Sequence, residues 1–358
     1  MKEEDLKQKQ LLDAIKMLSP GTPLREGLEN ILKGKMGALI VVGDGEDVTN
    51  ITDGGFAINV DFSPAYLYEL AKMDGAIIVS HDVKKILYAN TQMIPNPSIH
   101  SSETGIRHRI AERVAKETGE VVISISQRRN IISLYQGDTK YIVQDTGRIL
   151  TKANQAIQTL EKYKVALDTG MNHLSALEFE DLVTIYDVAV VLQRTEMVMR
   201  IVSEIEKFIC ELGNEGRLVS MQQEELVANV VTDGKYVIND YNNHKESNYQ
   251  GISKAIKNLS SEELLDLSNI AKILGYESNV AALDAGALPK GYRILHKIPR
   301  LPGPVIENLV RHFGEFQKIH RASIEKLDEV EGIGEVRARA IKEGLARLRE
   351  QVMLGRQI

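Results

Sequence analysis

The spacing of apolar residues changes near residue 147, and this change limits the possible folds more than any other feature of the chain. Between residues 37 and 144, short apolar runs such as GALIVV, GAIIVS, VVISIS and NIISLY alternate with stretches of helical spacing. From about residue 147 to residue 286 the short runs disappear, and long segments with heptad-like spacing replace them. Strands and helices repeat their apolar residues at different periods. The sequence therefore predicts a multidomain chain in which an N-terminal α/β domain precedes an all-α part.

The order of the short runs indicates how the predicted sheet is connected. Its last strands, VVISIS, NIISLY and KYIVQ, follow one another through the short polar turns QRRN and QGDT, as in antiparallel hairpins. A mixed central sheet is therefore expected rather than an all-parallel one. One helix is predicted to begin at Pro64. Another is predicted to begin at Thr104 and Gly105 and to end at Gly119, with Ile106, Ile110 and Val114 facing the core.

The apolar stripe of the all-α part admits two interpretations. It consists of Val188, Val191, Leu192, Met197, Val198 and Ile201. Such a stripe could line a cofactor pocket, but it is more typical of packed helices, so a linker or scaffold role is expected. The Gly, Pro and small residues of SNVAALDAGALPKGYR, residues 278–293, predict a boundary. We thus expect three domains, over residues 1–146, 147–286 and 287–358.

The formal net charge of −6 is divided unevenly along the chain. Residues 287–358 hold 14 Lys and Arg against 9 Asp and Glu, whereas residues 1–286 hold 30 against 41. A basic C-terminal region next to an acidic body predicts that only the C-terminal part contacts a polyanion at length.

Several classes of protein are disfavoured by the N-terminal stretch and by the cysteine content. MKEEDLKQKQ lacks the apolar segment of a secretory signal, and no apolar run approaches the roughly 18 residues of a membrane span. A cytoplasmic protein without membrane contact is therefore expected. Cys210 is the only cysteine, which excludes an intrachain disulfide and a thiolate zinc site. His81 and His100 show no metal-ligand spacing.

Two helical stretches near the C-terminus are separated by a short turn that contains glycine. Ile324, Leu327 and Val330 lie at helical spacing, EGIG at residues 331–334 interrupts it, and the spacing resumes at Ala338. This pattern predicts a helix-hairpin-helix. Its glycines allow positive φ, and the amides of the turn can meet a phosphate.

The predicted hairpin indicates a phosphate contact rather than base readout. The candidate DNA-binding residues are Gly332, Ile333, Gly334, Arg337 and Arg339, of which the arginines add counter-charge. A degenerate second hairpin precedes it at LPGPVIENL, residues 301–309, and two such hairpins resemble the tandem helix-hairpin-helix domains of DNA-repair and junction-binding proteins. Because phosphate contacts fix position without reading sequence, recognition of DNA shape is expected. The alternative is a tight helical corner without a ligand.

Three consecutive donors begin the predicted helix of the α/β domain. Arg107, His108 and Arg109 stand where a helix leaves its first amides unpaired, an end that ordinarily favours acidic residues. They fit a polyphosphate held by amides and guanidinium groups. A solvated basic turn, paired with Glu103 or Glu112, would explain the same residues.

A second short motif stands at the mouth of a buried strand. DGA at residues 74–76 places an acid and a glycine where a phosphate can approach, although Asp-Gly pairs are also common in turns. Together with RHR at residues 107–109, ISQRRNIISLYQ at residues 125–136 and the C-terminal hairpin VEGIGEVRARAI, this motif resembles the diadenylate cyclases of the bacterial DNA-integrity scanning family. The resemblance covers essentially all 358 residues, and the order and spacing of the motifs make it specific.

The resemblance implies a reaction in which two ATP condense to cyclic di-AMP and two pyrophosphates, with Mg²⁺ or Mn²⁺ as cofactor. It implies that Asp74 holds the metal and orients or deprotonates the 3′-hydroxyl. Arg107, His108 and Arg109 are implied to bind phosphates and to offset the charge of the leaving pyrophosphate. The implied ATP-binding residues are Gly75, Ala76, Met93, Ile106, Arg107, His108, Arg109, Ile110, Ser126 and Arg128. Because the family usually has Thr at position 110, and frequently Thr or Met at position 106, we expect weaker nucleotide affinity.

The resemblance also implies assembly and regulation. Since the product is two-fold symmetric, two ATP-loaded domains must face each other, and the family forms homo-octamers around its helical middles. Branched DNA at the C-terminal domain is implied to lower cyclase output, and DNA-repair proteins are further candidate partners. Two rival interpretations stay open, namely a non-catalytic nucleotide sensor that assists DNA repair and a structural scaffold.

Overall fold

An eight-stranded sheet dominates the N-terminal part of the computed structural model, which describes residues 3–244, 248–277 and 280–354. The strands are β1 (Ala38–Val42), β2 (Thr52–Asp53), β3 (Phe56–Asp61), β4 (Ala76–Val79), β5 (Lys85–Met93), β6 (Val121–Ser126), β7 (Ile131–Gln136) and β8 (Thr139–Val143). Their order is β2-β5-β4-β1-β6-β7-β8, and β3 also pairs with β5. β1 and β4 are parallel, whereas β6 is antiparallel to both β1 and β7. The prediction of a mixed sheet is confirmed.

Helices cover both faces of this sheet. They are α1 (Glu3–Met17), α2 (Pro23–Lys33), α3 (Glu46–Thr49), α4 (Pro64–Leu70) and α5 (Ile106–Thr118). Because side chains of a strand alternate between faces, Ile40 of β1 joins one apolar cluster with Leu28 of α2. Its neighbours Leu39 and Val41 join a second cluster with Val114 of α5. The sheet is therefore buried between two layers, and its strand ends are left to build a site.

The ends of α5 agree with the sequence, but its buried face does not. Gly105 is the N-cap, and Gly119 ends the helix with φ of +73°. The buried residues of α5 are His108, Ala111, Val114 and Ala115. The expectation that Ile106 faces the core is wrong, because its side chain is 76% exposed. At about 100° per residue, Ile106 lies roughly 140° around the helix from the centre of the buried face.

The all-α part is also confirmed. Its helices are α6 (Thr146–Glu180), α7 (Ile185–Leu212), a 3₁₀ turn (Gly213–Gly216), α8 (Arg217–Val227), α9 (Val230–Tyr241), α10 (Tyr249–Lys257), α11 (Ser261–Leu265), α12 (Leu267–Ile273) and α13 (Val280–Leu283). Val188, Val191, Leu192 and Val198 of the apolar stripe are buried, as packed helices require. Within the described ranges, no helix is long and apolar enough to cross a membrane.

Five further helices form the C-terminal part. They are α14 (Tyr292–His296), α15 (Gly303–Phe313), α16 (Phe316–Arg321), α17 (Ile324–Asp328) and α18 (Glu335–Leu354). Their apolar side chains share one core, which includes Ile306, Phe316 and Ile341. Short turns join α14 to α15 and α17 to α18, at the two places where the sequence predicts hairpins.

The chain forms two compact units. The first contains Met1–Gln155 and Ile205–Met221, and the second contains Ala156–Glu204 and Gln222–Ile358. Residues 278 and 279, which begin the predicted boundary stretch, lie outside the described residues.

Candidate nucleotide site

A cleft of about 690 Å³ opens at one end of the sheet in the first unit. The ends of β4, β5 and β6 meet there with the N-terminus of α5. Its described lining residues are Leu39, Gly75, Ala76, Thr91, Gln92, Met93, Thr104, Gly105, Ile106, Arg107, His108, Ile110, Ser126, Gln127, Arg128 and Arg129. Clefts of this volume accommodate ligands the size of a nucleotide.

Gly75 shapes the floor of the cleft. It adopts φ of +94°, which only glycine enters readily, and an ideal Cβ there would lie 2.8 Å from the backbone oxygen of Thr91. The side chain of Thr91 is buried and donates a hydrogen bond of 3.0 Å to the oxygen of Ala76. β4 and β5 therefore approach each other where a side chain at position 75 would collide with backbone.

The N-terminus of α5 is open to an anion. Its N-cap is Gly105, so no side chain caps the first-turn amides. Arg107, in the first turn, lines the cleft. Arg128 and Arg129 line it from the turn that follows β6. Three arginines from two elements therefore line the cleft that contains this end of the helix, which is an arrangement suited to phosphate oxygens.

His108 is buried and belongs to a chain of hydrogen bonds. Its Nδ1 lies 3.0 Å from the hydroxyl of Tyr135, and this hydroxyl lies 2.9 Å from Oε1 of Glu103. Lys140 forms an ion pair with the same carboxylate. Nε2 of His108 is also buried, and it has no hydrogen-bond partner among the described residues.

The charges of this chain are set by burial and by the contacts between its members. Burial lowers the pKa of His108, and the positive charges of Arg129, Lys140 and Arg107 oppose the raising effect of Glu103. Burial would raise the pKa of Glu103, but hydrogen bonds from Lys140 and Tyr135 outweigh it and leave that pKa below its ordinary value. Burial raises the pKa of Tyr135. At neutral pH we therefore expect a neutral His108, a neutral Tyr135 and an ionised Glu103.

Two of the predicted residues do not line the cleft. Arg109 turns away, and its guanidinium lies 3.3 Å from the backbone oxygen of Glu103 and 3.4 Å from that of Thr104. Asp74 is exposed and immediately precedes Gly75, which does line the cleft. The other nine predicted nucleotide-binding residues all line the cleft. They are Gly75, Ala76, Met93, Ile106, Arg107, His108, Ile110, Ser126 and Arg128.

The ion pairs that a solvated basic turn would require are not formed. Glu103 pairs with Lys140, and Glu112 pairs with Lys116 and accepts a hydrogen bond from Ser101. The described residues show neither carboxylate paired with an arginine of the RHR motif. This favours the interpretation in which these donors meet a ligand.

Several residues of the site escape sequence reasoning. Arg129 follows Arg128 in the QRRN turn, and its backbone amide donates a 3.2 Å hydrogen bond to Ser126 Oγ. Its position next to Arg128, which was predicted, was the signal in the sequence that could have identified Arg129. The sequence contains no signal that Tyr135 and Glu103 belong to the site. They come close to His108 only through the pairing of strands and the docking of α5.

Metal ligands are sparse in the described part of the chain. No group of three or more His, Cys, Asp and Glu side chains is placed there to hold a metal ion. A single exposed carboxylate such as Asp74 is enough only for a metal that the substrate also binds. Mg²⁺ is often bound in this way, by one carboxylate and the phosphates of a nucleotide.

A second candidate site lies at the turn between α17 and α18. Gly332 adopts φ of +83°, whereas Gly334 does not enter the left-handed region. Of the two glycines for which the sequence allows positive φ, only Gly332 adopts it. Arg337 donates a hydrogen bond to the oxygen of Gly332, and Arg339 pairs with Glu335 at 3.0 Å. No heavy atom lies within 4 Å of an ideal Cβ on Gly334 in the described structure, so this backbone is open to approach.

Comparisons with known proteins show the family to which this chain belongs. The family model described as DisA bacterial checkpoint controller nucleotide-binding matches residues 25–140, and the one described as DisA bacterial checkpoint controller linker region matches residues 143–283. The DNA integrity scanning protein DisA of Clostridioides difficile (strain 630) is 59% identical over 99% of this chain and 100% of that protein. This chain belongs to the DNA integrity scanning family.

Other members of the DNA integrity scanning family are as similar. The protein of the same name from Carboxydothermus hydrogenoformans is 60% identical over 97% of this chain and 99% of that protein. A crystal structure of DacA from Staphylococcus aureus aligns with 39% of this chain and 89% of that one at 20% identity, with a TM-score of 0.29. Family membership and the nucleotide-binding domain identify this chain as an enzyme of the diadenylate cyclase class.

Proposed function

We propose that this chain condenses two ATP molecules into cyclic di-AMP and two pyrophosphates. The observation that carries the proposal is the cationic cleft. Arg107, Arg128 and Arg129 line it, and its described lining contains no carboxylate. This surface suits a triphosphate, because guanidinium groups form forked hydrogen bonds with phosphate oxygens. Membership of the DNA integrity scanning family supports the reaction type.

The roles of the cleft residues follow from their positions. We assign to the open amides of α5 and the guanidinium of Arg107 the binding of phosphates and the stabilisation of charge on the departing pyrophosphate. Met93, which is buried at the end of β5, offers an apolar surface to the adenine, and Ser126 offers a hydroxyl at the end of β6. Ile110 contributes only apolar contact.

A divalent metal, Mg²⁺ or Mn²⁺, belongs to this proposal. Asp74 would hold it together with phosphate oxygens of the nucleotide, which agrees with the lack of a larger ligand group in the described residues. When bound, such a metal supplies neutralisation of phosphate charge. Asp74 also stands next to the glycine that the backbone geometry of the cleft requires.

Two copies of the chain must cooperate in the reaction. Each nucleotide supplies a 3′-hydroxyl to the α-phosphate of the other, so two loaded clefts have to face each other. Two exposed apolar side chains, Ile106 in the lining of the cleft and Ile94 next to the lining residue Met93, support burial of this surface by a second copy. We propose that such pairs of facing clefts are part of a homo-octamer.

The C-terminal part is proposed to bind branched DNA and thereby to lower cyclase output. The open turn after α17, with Arg337 and Arg339 beside it, suits phosphate oxygens of a DNA backbone. The excess of 14 Lys and Arg over 9 Asp and Glu in residues 287–358 supports the same ligand.

One experiment tests the reaction and its regulation. The full chain is incubated with ATP and Mg²⁺ or Mn²⁺, and products are identified by mass spectrometry with and without a four-way DNA junction. Cyclic di-AMP is expected without DNA, and less of it with the junction. Asp74→Asn is expected to lower turnover about 100-fold or more. Folded, ATP-binding protein that forms no cyclic di-AMP would favour the non-catalytic nucleotide sensor.

A further inference from the structure

The two ring nitrogens of His108 have different surroundings. Nδ1 meets the hydroxyl of Tyr135 at 3.0 Å, in the buried layer between α5 and the sheet. Nε2 is buried without a described partner, and the side chain of His108 lines the nucleotide cleft. A buried nitrogen without a partner is costly in a folded protein. A ligand in the cleft is therefore the natural partner of Nε2.

The hydrogen bonds of Tyr135 determine which nitrogen of His108 carries the proton. A tyrosine hydroxyl has one proton to donate, and an ionised carboxylate can only accept. Glu103 is held ionised by Lys140 and lies 2.9 Å from the hydroxyl, so Tyr135 donates to Glu103. The hydroxyl oxygen then accepts a hydrogen bond from Nδ1–H of His108. In the neutral imidazole, Nε2 consequently bears a lone pair.

Among the described lining side chains, no group other than His108 could take up a proton near neutral pH, and Asp74 keeps the proposed role of metal ligand. The described lining residues include three arginines, two threonines, one serine and two glutamines, but no Asp, Glu, Lys or Cys. Asp74 stands outside this lining. The buried nitrogen of His108 is thus the one basic atom among the described lining side chains.

We propose that Nε2 of His108 accepts the proton of the attacking 3′-hydroxyl, and that Tyr135, Glu103 and Lys140 are positioning residues that fix its tautomer. This inference rests on the proposed cyclase reaction. As the hydroxyl oxygen forms its bond to the α-phosphorus of the other ATP, the bond from that phosphorus to the bridging oxygen breaks. The electron pair leaves with pyrophosphate, and the proton moves to Nε2.

The charges around His108 favour the neutral imidazole before the proton transfer and stabilise the imidazolium after it. His108 contacts the hydroxyl of Tyr135 on β7 and feels the negative charge of Glu103. The positive charges of Arg107, Arg129 and Lys140 also act on it. Burial and the cations keep the imidazole neutral before reaction, and this leaves the lone pair available. Once Nε2 is protonated, the ionised Glu103 stabilises the imidazolium through the Tyr135 hydroxyl.

The alternative role for His108 is a charged donor to a phosphate, as the RHR motif suggested. The two roles predict opposite pH dependence. A proton acceptor must be neutral, so kcat should rise as pH increases through the pKa of His108. A charged donor must be protonated, so kcat should fall over the same range.

Tyr135→Phe is the first test, in the full-length protein. Loss of the hydroxyl leaves the tautomer of His108 unfixed, and we expect kcat to fall about 10- to 100-fold, as for other residues that orient a catalytic group. The KM for ATP and its binding by calorimetry should change less than about 2-fold, because Tyr135 does not line the cleft in the described structure. Tyr141→Phe is the matched control. Tyr141 lies on β8, the strand next to β7, and its hydroxyl also bonds a glutamate, Glu211 of α7.

Glu103→Gln is the second test. The amide still accepts from Tyr135, but the negative charge that raises the pKa of His108 is lost. We expect the acid limb of the kcat profile to move to lower pH, by about one unit. Three results would overturn the inference while leaving the cyclase reaction intact. They are an acid limb that stays at the same pH in Glu103→Gln, a wild-type kcat that falls with rising pH, and normal turnover in Tyr135→Phe. Absence of cyclic di-AMP from the wild-type protein would instead reject the proposed function itself.

Discussion

Arg107 fills the space into which a side chain at Gly37 would project. An ideal Cβ on Gly37 would lie 2.2 Å from Nη1 of Arg107 and 3.2 Å from the backbone oxygen of Ile125. Gly37 immediately precedes β1, the central strand of the sheet. The glycine therefore leaves room for a guanidinium group that the proposed reaction requires at the phosphates.

Gly37→Ala is expected to raise the KM for ATP about 10-fold, since displacement of Arg107 weakens a charge-assisted hydrogen bond worth about 1.5 kcal/mol or more. Stability should fall only modestly, because the atom in collision ends a flexible side chain and the backbone oxygen of Ile125 has to shift only slightly. Steady-state kinetics and thermal unfolding measure the two effects. Gly45→Ala is the control, because its Cβ would meet no heavy atom of the described structure within 4 Å. Equal KM values for the two variants would contradict the prediction.

The sequence predicted those parts of the site that depend on local geometry. Gly105 and Gly119 begin and end α5 as expected, because a helix terminus is encoded by the residues at that terminus. The face of α5 was predicted less well. Ile106 is as apolar as Val114, yet it is exposed, since only the position of the sheet decides which part of the helix is covered.

Contacts between distant residues could not be predicted. His108 and Tyr135 are separated by 27 residues and meet because α5 docks on the strand β7. No periodicity in the sequence encodes that docking. For the same reason the motifs predicted Asp74 and Arg109 as members of the site, whereas the backbone places their side chains outside the lining of the cleft.

Ile110→Thr is expected to lower the KM for ATP about 3- to 10-fold. Ile110 lines the cleft and offers no hydrogen bond, and a hydroxyl there could donate to a phosphate, a contact worth about 0.5 to 1.5 kcal/mol. Ile110→Val is the matched control, since valine has the shape of threonine without its hydroxyl. If both variants alter the KM equally, loss of volume rather than the hydroxyl is responsible.

The stability of the second unit is expected to decrease between pH 5 and pH 8. Asp240 is buried and accepts hydrogen bonds from the amides of Gly291, Tyr292 and Arg293. Burial and the charge of Glu178 raise the pKa of Asp240 to about 7. A carboxyl whose pKa is higher in the folded state binds more protons there, so its contribution is lost as pH rises through about 7, by at most about 1.4 kcal/mol per pH unit. Urea unfolding of wild type and Asp240→Asn at both pH values tests this, and equal pH dependence in the two proteins would refute it.

Arg337→Ala is expected to weaken binding of a four-way DNA junction and to reduce the slope of log K against log salt by about 1. The guanidinium of Arg337 is held at the open turn by the oxygen of Gly332, so it stands where a phosphate would meet the backbone amides. Fluorescence anisotropy from about 50 to 200 mM salt measures the slope. Arg347→Ala removes the same charge from an exposed position three turns further along α18 and serves as the control. If both variants reduce the slope equally, the DNA is attracted by the net charge of the C-terminal part and not by a phosphate site at the turn.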